Sequence, residues 1–152
     1  MSIKTQGSNL FAIYEAAVMT MQCPTGITGL GGSRDQIETT CLNSTDDKSY
    51  VSGLGNPGQV SVPFVFDPQA ASHQALLDLH DTGAVIPWSI GLSDGTAVPT
   101  IVSGEFSLAS TRTYATFDAF VADVSIDIAT NEVVRGTMTL QRSGSVAWSF
   151  KA

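Results

Sequence analysis

The stretch Thr25–Leu42 reads Thr-Gly-Ile-Thr-Gly-Leu-Gly-Gly-Ser-Arg-Asp-Gln-Ile-Glu-Thr-Thr-Cys-Leu, and Val51–Gly58 reads Val-Ser-Gly-Leu-Gly-Asn-Pro-Gly. Seven of the chain's 14 glycines lie between Gly26 and Gly58. Because glycine and proline interrupt both helices and strands, this segment cannot be one regular element. The pattern predicts two short β arms, Ile37–Leu42 and Ser49–Leu54, within a long Gly-rich loop at about 26–58. Loops of this length in a compact domain are usually functional or disordered.

Alternating apolar and polar residues predict strands on both sides of this loop. Leu10–Met21 predicts a first strand and Val60–Phe66 a second. Since Pro63 has no N–H, we expect the second strand to lie at a sheet edge or at a seam between subunits. Val85–Leu92 predicts a third strand, with Trp88 as a core or seam aromatic.

In the later part of the chain the strand pattern is irregular up to Thr116 and regular in the closing hairpin. Asp94-Gly95 is typical of a hairpin turn, Ala97–Leu108 is less regular, and Ala109–Thr116 predicts a polar connection. The closing hairpin follows, with one apolar set at Ala122, Val124, Ile126 and Ile128 and another at Val134, Gly136, Met138 and Leu140. Matching these two faces places Asp127 opposite Arg135, with Ala129–Val133 as the turn. Ser145–Phe150 predicts a last short strand.

The sequence predicts one helix, Pro68–Asp81, with Asp67 as its N-terminal cap and Gly83 as its left-handed stop. One broad side is apolar and the other polar, so the helix should lie on a sheet with one face in water. The apolar side contains Ala75, Leu76, Leu77 and Leu79. The predicted fold is therefore a single domain over residues 1–152, all-β with one flanking helix, in which mostly antiparallel strands form a β-sandwich or barrel.

Composition excludes several functional classes. Hydrophobic residues make up 43% of the 152 residues and charged residues 14%, which is unlike a disordered chain. The net charge of −7 argues against a nucleic-acid-binding surface, which needs clustered Lys and Arg. The low share of charged residues, 14%, also suggests that partners cover much of the surface. The apolar run Leu10–Met21 is interrupted by Glu15 and has no basic lead or cleavage signal, so we expect neither export nor a membrane partner.

The sequence signals for a cofactor-binding or metal site are weak. Gly53–Gly58 fits the dinucleotide pattern G-x-G-x-x-G but contains Pro57 and precedes a strand, whereas that pattern needs a helix after it. His73 and His80 are seven residues apart, about 10 Å along a helix, too far to share one metal ion. We therefore expect no catalytic, cofactor-binding or metal site and no enzymatic activity. In the absence of export, Cys23 and Cys41 are expected to be free thiols, with a disulfide across paired strands as the disfavoured alternative.

The Gly-rich stretch also carries a resemblance. Its order of blocks, from Gly29-Leu-Gly-Gly-Ser-Arg-Asp-Gln-Ile-Glu-Thr-Thr-Cys41 through Tyr50–Phe64 to Asp67-Pro-Gln-Ala-Ala, resembles the tail tube (major tail) proteins of long-tailed, lambda-type bacteriophages. The resemblance continues through Trp88–Thr96 and Phe120–Gly144. It implies a structural virion protein, made and assembled in the host cytoplasm, that forms stacked hexameric rings. The partners it implies are the protein itself and the terminator, distal tail and tape measure proteins, with DNA passing through the tube without specific binding.

Two groups of residues are candidates for roles in such a tube. The loop is expected to make the contact between rings through its charged residues, which are Arg34, Asp35, Asp46, Asp47 and Lys48. The non-core face of the closing hairpin is expected to line the lumen, with the outer surface as the open alternative. Its candidates are Asp123, Ser125, Asp127, Arg135, Thr137 and Thr139.

Two other interpretations remain at this point. Within the same architecture, the chain could be another ring component, such as a terminator or baseplate ring, or a secretion-system tube subunit. From a different class, it could be a small β-barrel that binds an apolar ligand. That second alternative predicts a monomer with an enclosed pocket and leaves the long loop without a role.

Overall fold

A computed structural model describes residues 2–43, 45–130 and 132–152. The helix is α1 (Ala71–Thr82), and the strands are β1 (Asn9–Tyr14), β2 (Ala17–Thr20), β3 (Gly32–Glu38), β4 (Tyr50–Pro57), β5 (Gln59–Val65), β6 (Ile86–Gly91), β7 (Thr100–Val102), β8 (Glu105–Ser107), β9 (Tyr114–Asp127) and β10 (Arg135–Ser149). Six strands form one sheet in the order β2-β1-β6-β9-β10-β5, while β3–β4 and β7–β8 are separate hairpins. All pairings are antiparallel, which confirms the predicted class.

The core lies between α1 and one face of the six-stranded sheet. Leu76 and Leu79 of the helix pack into an apolar cluster with Trp88, Phe117 and Leu140, all at most 3% exposed. The prediction that Trp88 is a core residue is therefore confirmed. The helix has one wet face as expected, although Leu77 belongs to that wet side and is 39% exposed.

Strand β5 lies at the edge of the sheet, as Pro63 predicted. The amides of Ser61 and Val65 point away from β10 and donate to the carbonyls of Thr28 and Cys23. Pro63 lies between them, and its carbonyl accepts from the Thr25 amide at 2.8 Å. Its missing N–H would therefore point outward, so proline costs the β5–β10 ladder no hydrogen bond.

The register of the closing hairpin is confirmed, because Arg135 pairs with Asp127. A β-bulge interrupts the pairing further along, where Thr139 pairs with Asp123 but Leu140 pairs with Val121. The extra residue is Ala122, which was predicted to lie on the apolar face and is exposed. A bulge changes which alternate residues face the core, so the inward residues of β9 are odd-numbered before Ala122 and even-numbered after it.

Gly136 shows why one core position of β10 has no side chain. It pairs with Phe64 of β5, and a Cβ at this position would lie 2.6 Å from Phe64 Cζ. Real Cβ contacts are not that short, so the aromatic ring occupies the space that any larger residue would need.

Three of the predicted strands and connections have other limits in the structure. Leu10–Met21 is two strands, because Glu15 and Ala16 adopt left-handed φ values of 52° and 59° and reverse the chain. The predicted connection Ala109–Thr116 ends early, since β9 begins at Tyr114, and Ser145–Phe150 continues β10. Asn131, in the predicted turn of the closing hairpin, lies outside the described residues.

The helix begins later than predicted. Its N-cap is Ala70, without a side-chain hydrogen bond, while Asp67 Oδ1 accepts from the Gln69 amide in a turn that precedes the helix. Gly83 ends the helix as predicted, with φ 65° and its amide bonded to the Leu79 carbonyl. His73 is buried: its Nδ1 accepts from the Asp67 amide and its Nε2 donates to the Gln22 carbonyl, which identifies the neutral Nε2–H tautomer.

A turn does form at Asp94, but the next strand along the chain, β7, pairs with β8 and not with β6, whose later partner is β9. The Asp94 carboxylate instead accepts from the amide and hydroxyl of Thr113, at 3.0 and 2.6 Å. The neighbouring Arg112 is 1% exposed and packs over the rings of Phe11 and Tyr114. These contacts hold the segment between β6 and β9 against the sheet.

Candidate functional site

The most exposed regular element is the β3–β4 hairpin. It pairs from Gly32–Pro57 at its base to Glu38–Tyr50 at its far end. Every residue of β3 is exposed, and the exposed apolar side chains of the hairpin include Ile37 on β3 at 54% and Leu54 on β4 at 84%. A two-stranded hairpin without a packed face is marginally stable alone, so these side chains form a surface suited to a partner.

The five charged residues predicted for this loop fall into two groups. Arg34 and Asp35 lie on β3, where Arg34 donates to the Gly53 carbonyl at 3.4 Å and Asp35 accepts from Asn56 at 2.9 Å. Asp46, Asp47 and Lys48 lie beyond the paired residues, exposed at the tip. Ser44, also at the tip, lies outside the described residues.

A groove of about 610 Å³ lies at the base of the hairpin, between β3–β4 and the second half of β10. Leu30, Val146 and Trp148 supply its apolar lining, and Arg34 and Arg142 are its charged lining residues. Trp148 is 46% exposed and stacks on Phe150, with ring centroids 6.1 Å apart. The groove therefore combines two cations with an accessible aromatic surface.

The sequence analysis did not single out Arg142. It lies at the core-facing phase of β10, after Gly136, Met138 and Leu140, and only 5% of it is exposed. A charged residue at the next position of an apolar alternation is a signal that could have found it. Its Nη2 donates to the Gly31 carbonyl, and its buried Nε has no hydrogen-bond partner.

The predicted lumen candidates share one face of the sheet, opposite α1. Three rows cross β9, β10 and β5, and they are Asp127–Arg135–Val65, Ser125–Thr137–Pro63 and Asp123–Thr139–Ser61. Thr137 and Thr139 are half-buried, and the candidates on β9 are exposed. Arg135 and Asp127 are cross-strand neighbours, but no salt bridge joins them within the described residues.

No cluster of three or more potential metal ligands occurs within the described ranges. In the same part of the chain, no helix has the length and apolar character needed to cross a bilayer. Cys23 and Cys41 are free and exposed, in agreement with the prediction.

Comparison with known proteins places this arrangement in a family. The family model described as phage tail tube, lambda-like, matches residues 1–152. The chain belongs to the lambda-like phage tail tube family. The tail tube protein is 39% identical over 149 residues to "Structural protein 3" of Pseudomonas phage PAJU2, covering 93% of this chain and 90% of the relative.

Solved structures share the fold at low sequence identity. The tail of an empty GTA particle with C6 symmetry has a TM-score of 0.70 at 12% identity and covers 99% of this chain and 100% of the other. The SPP1 tail tube has a TM-score of 0.70 at 11% identity, covering 98% of this chain and 80% of the other. The sheath/tube terminator of the extracellular contractile injection system PVC also scores 0.70, at 13% identity, with 97% and 96% covered.

Family membership confirms the resemblance and decides between the interpretations. The tail tube protein is a structural component of a phage virion tail and not an enzyme. It is therefore not the small ligand-binding β-barrel considered as an alternative. The hairpin, the groove and the polar sheet face are its candidate contact surfaces.

Proposed function

We propose that this chain, as one tail-tube domain over residues 1–152, forms hexameric rings that stack into a tube through which DNA passes. The observation that carries the proposal is the exposed β3–β4 hairpin with its unpartnered apolar side chains, in a chain of the tail tube family. The C6 symmetry of the GTA tail, which has the same fold, supports six subunits per ring. Terminator, distal tail and tape measure proteins are the further partners that such a tube requires.

Within a ring, we expect subunits to join through the edges of the six-stranded sheet. The short strand β2 forms one edge. Strand β5 forms the other, where the segment Cys23–Thr28 of the same chain is hydrogen-bonded to its outer side. Strand edges carry unpaired backbone groups that template pairing with another chain. An interface between two different surfaces closes into a ring when the rotation allows it.

Between rings, the hairpin makes the contact, with Arg34, Asp35, Asp46, Asp47 and Lys48 as its charged groups. Deleting 43–49 removes the tip, together with the hydrogen bonds of Ser49 to Thr39 and Thr40, and leaves β3 and β4 intact. The shortened subunit should therefore fold, judged by circular dichroism and thermal unfolding, but should not elongate. Negative-stain images of normal tubes from this deletion would contradict the stacking role.

The polar sheet face opposite α1 lines the lumen in this proposal. Each Lys or Arg on a DNA conduit would hold a phosphate and slow passage. The candidates Asp123, Ser125, Asp127, Arg135, Thr137 and Thr139 together carry two carboxylates and one cation, so the face is net negative. The outer surface is the competing location for the same residues.

A charge reversal tests the lumen. Asp123→Lys with Asp127→Lys should still give tubes, but those tubes should bind DNA and virions carrying them should eject poorly. Asp81→Lys with Glu105→Lys makes the same charge change on α1 and β8, away from this face, and serves as the control. Normal ejection by the first variant, or equal DNA retention by both, would exclude this face from the lumen.

A further inference from the structure

The groove at the base of the hairpin lacks an acidic partner. Its charged residues are Arg34 and Arg142, and none of the described residues that line it is acidic. The chain has 14 acidic residues against 7 basic ones. Two cations without a carboxylate are therefore unusual here, and they make the groove a local positive site on an acidic protein.

Arg142 has only part of its bonding capacity satisfied. Its guanidinium reaches the Gly31 carbonyl, and a Cβ on Gly32 would lie 3.2 Å from Nη2. The backbone at this position therefore lies close against the guanidinium. A buried guanidinium normally has a carboxylate partner, because an uncompensated buried charge is costly. Among the described residues no carboxylate forms an ion pair with Arg142.

The hairpin tip has the complementary chemistry. Leu42 is fully exposed, and the carboxylates of Asp46 and Asp47 follow it closely. An apolar side chain matches the Leu30–Val146–Trp148 lining of the groove, and the carboxylates match Arg34 and Arg142. The tip therefore offers both kinds of group that complement the groove.

The tip cannot fill the groove of its own chain. The seven residues of β3 separate base from tip by about 23 Å at 3.3 Å per residue. Because tip and groove are different surfaces, tip-into-groove contacts are heterologous and propagate from copy to copy, as rings and tubes require.

We propose that the groove bounded by Arg34, Arg142 and Trp148 is the receptor for the hairpin tip of a second copy of this chain, whose Asp46 and Asp47 pair with its two arginines. This inference rests on the proposed assembly and names the receiving surface of its stacking contact.

A charge swap between separate chains tests it. The tip variant carries Asp46→Arg with Asp47→Arg, and the groove variant carries Arg34→Glu with Arg142→Glu. Each alone should raise the critical concentration for elongation, measured by light scattering and electron microscopy, by about tenfold or more. An equimolar mixture should restore elongation, because each reversed tip meets a reversed groove and each native tip a native one. Lys4→Glu, an exposed cation distant in sequence, should elongate like the parent.

The outcomes separate the inference from the proposal beneath it. A parent protein that stays monomeric at high concentration removes both. If the parent elongates and either variant elongates equally well, the groove is not the receptor for the tip, although the proposed assembly stands. The same holds if the mixture of the two variants does not elongate. If the groove variant lowers Tm strongly, Arg34→Glu alone replaces it as the test of inhibition, since that side chain is exposed on β3. Inhibition by a groove variant without inhibition by the tip variant would mean that another segment fills the groove.

Discussion

Replacing Arg112 with lysine is the most informative change to the body of the subunit. The guanidinium of this buried residue joins chain segments far apart in sequence. It donates to the carbonyls of Leu92 (2.6 Å), Ala97 (2.9 Å), Gly7 (3.0 Å) and Gly91 (2.9 Å) and to Asn9 Oδ1 (2.8 Å). Arg112→Lys keeps the positive charge and removes the planar fork, so it isolates the contribution of these directed bonds.

The magnitude follows from counting donors. A lysine ammonium has three N–H donors on one nitrogen, so at least two of the five acceptors lose their bond to residue 112. The Ala97 carbonyl keeps the Tyr114 hydroxyl as a donor, so at least one acceptor is left unpaired. An unpaired acceptor costs about 1–3 kcal/mol, so the free energy of unfolding should fall by at least about that much. In the middle of that range, a chain of this size should lose roughly 6 °C in Tm.

The assay is thermal and urea unfolding followed by near-ultraviolet circular dichroism. Arg135→Lys, at an exposed position on β10, is the matched control and should change stability by less than about 0.5 kcal/mol. Gly91→Ala supplies a second arm, since its Cβ would lie 2.6 Å from Arg112 Cζ. Combined with Arg112→Lys, that change should cost less than the two separate losses, because the clash is relieved.

Two results would refute the reasoning. Equal stability losses in Arg112→Lys and Arg135→Lys would show that the hydrogen bonds of the guanidinium contribute nothing beyond charge. Strict additivity of Gly91→Ala and Arg112→Lys would show that glycine at position 91 is not required by the arginine.

Three further predictions concern stability. Gly136→Ala should cost about 1–3 kcal/mol by crowding Phe64, and Phe64→Leu in the same chain should recover part of that loss in urea unfolding. The hydroxyl and amide of Thr113 hold the pKa of Asp94 below its ordinary value of 3.8. The stabilisation from these bonds is therefore complete above pH 3.8 and is lost as the pH falls through the folded-state pKa. The difference in stability between the parent and Asp94→Asn should close in acid, and a constant difference would contradict this prediction. The hydrogen bond to Asp78 raises the pKa of Tyr14 to about 12. The stabilisation from this bond is therefore complete below pH 10 and is lost between pH 10 and about 12. Tyr14→Phe should lack this loss of stability at alkaline pH, and the same pH dependence in parent and variant would count against the prediction.

Local patterns were sufficient for several features of the regular elements. The alternation on both sides of the closing turn predicted that Arg135 faces Asp127, because a slip of one residue would move every apolar side chain to the wrong face. Pro63 predicted an edge strand and Gly83 the end of the helix. In each case one residue type restricts the backbone directly, so neighbours in sequence carry the information. The order of sequence blocks likewise indicated the family.

Only the tertiary structure decided where isolated residues make distant contacts. Ala122 forms a bulge because β9 must match both β6 and β10, a constraint absent from its own alternation. Arg112 is buried because carbonyls from Gly7, Gly91 and Ala97 converge on it. Arg142 lines a groove because the base of the hairpin folds against β10. A buried charge is stable only where such remote acceptors meet, and their meeting is a property of the folded chain rather than of any segment.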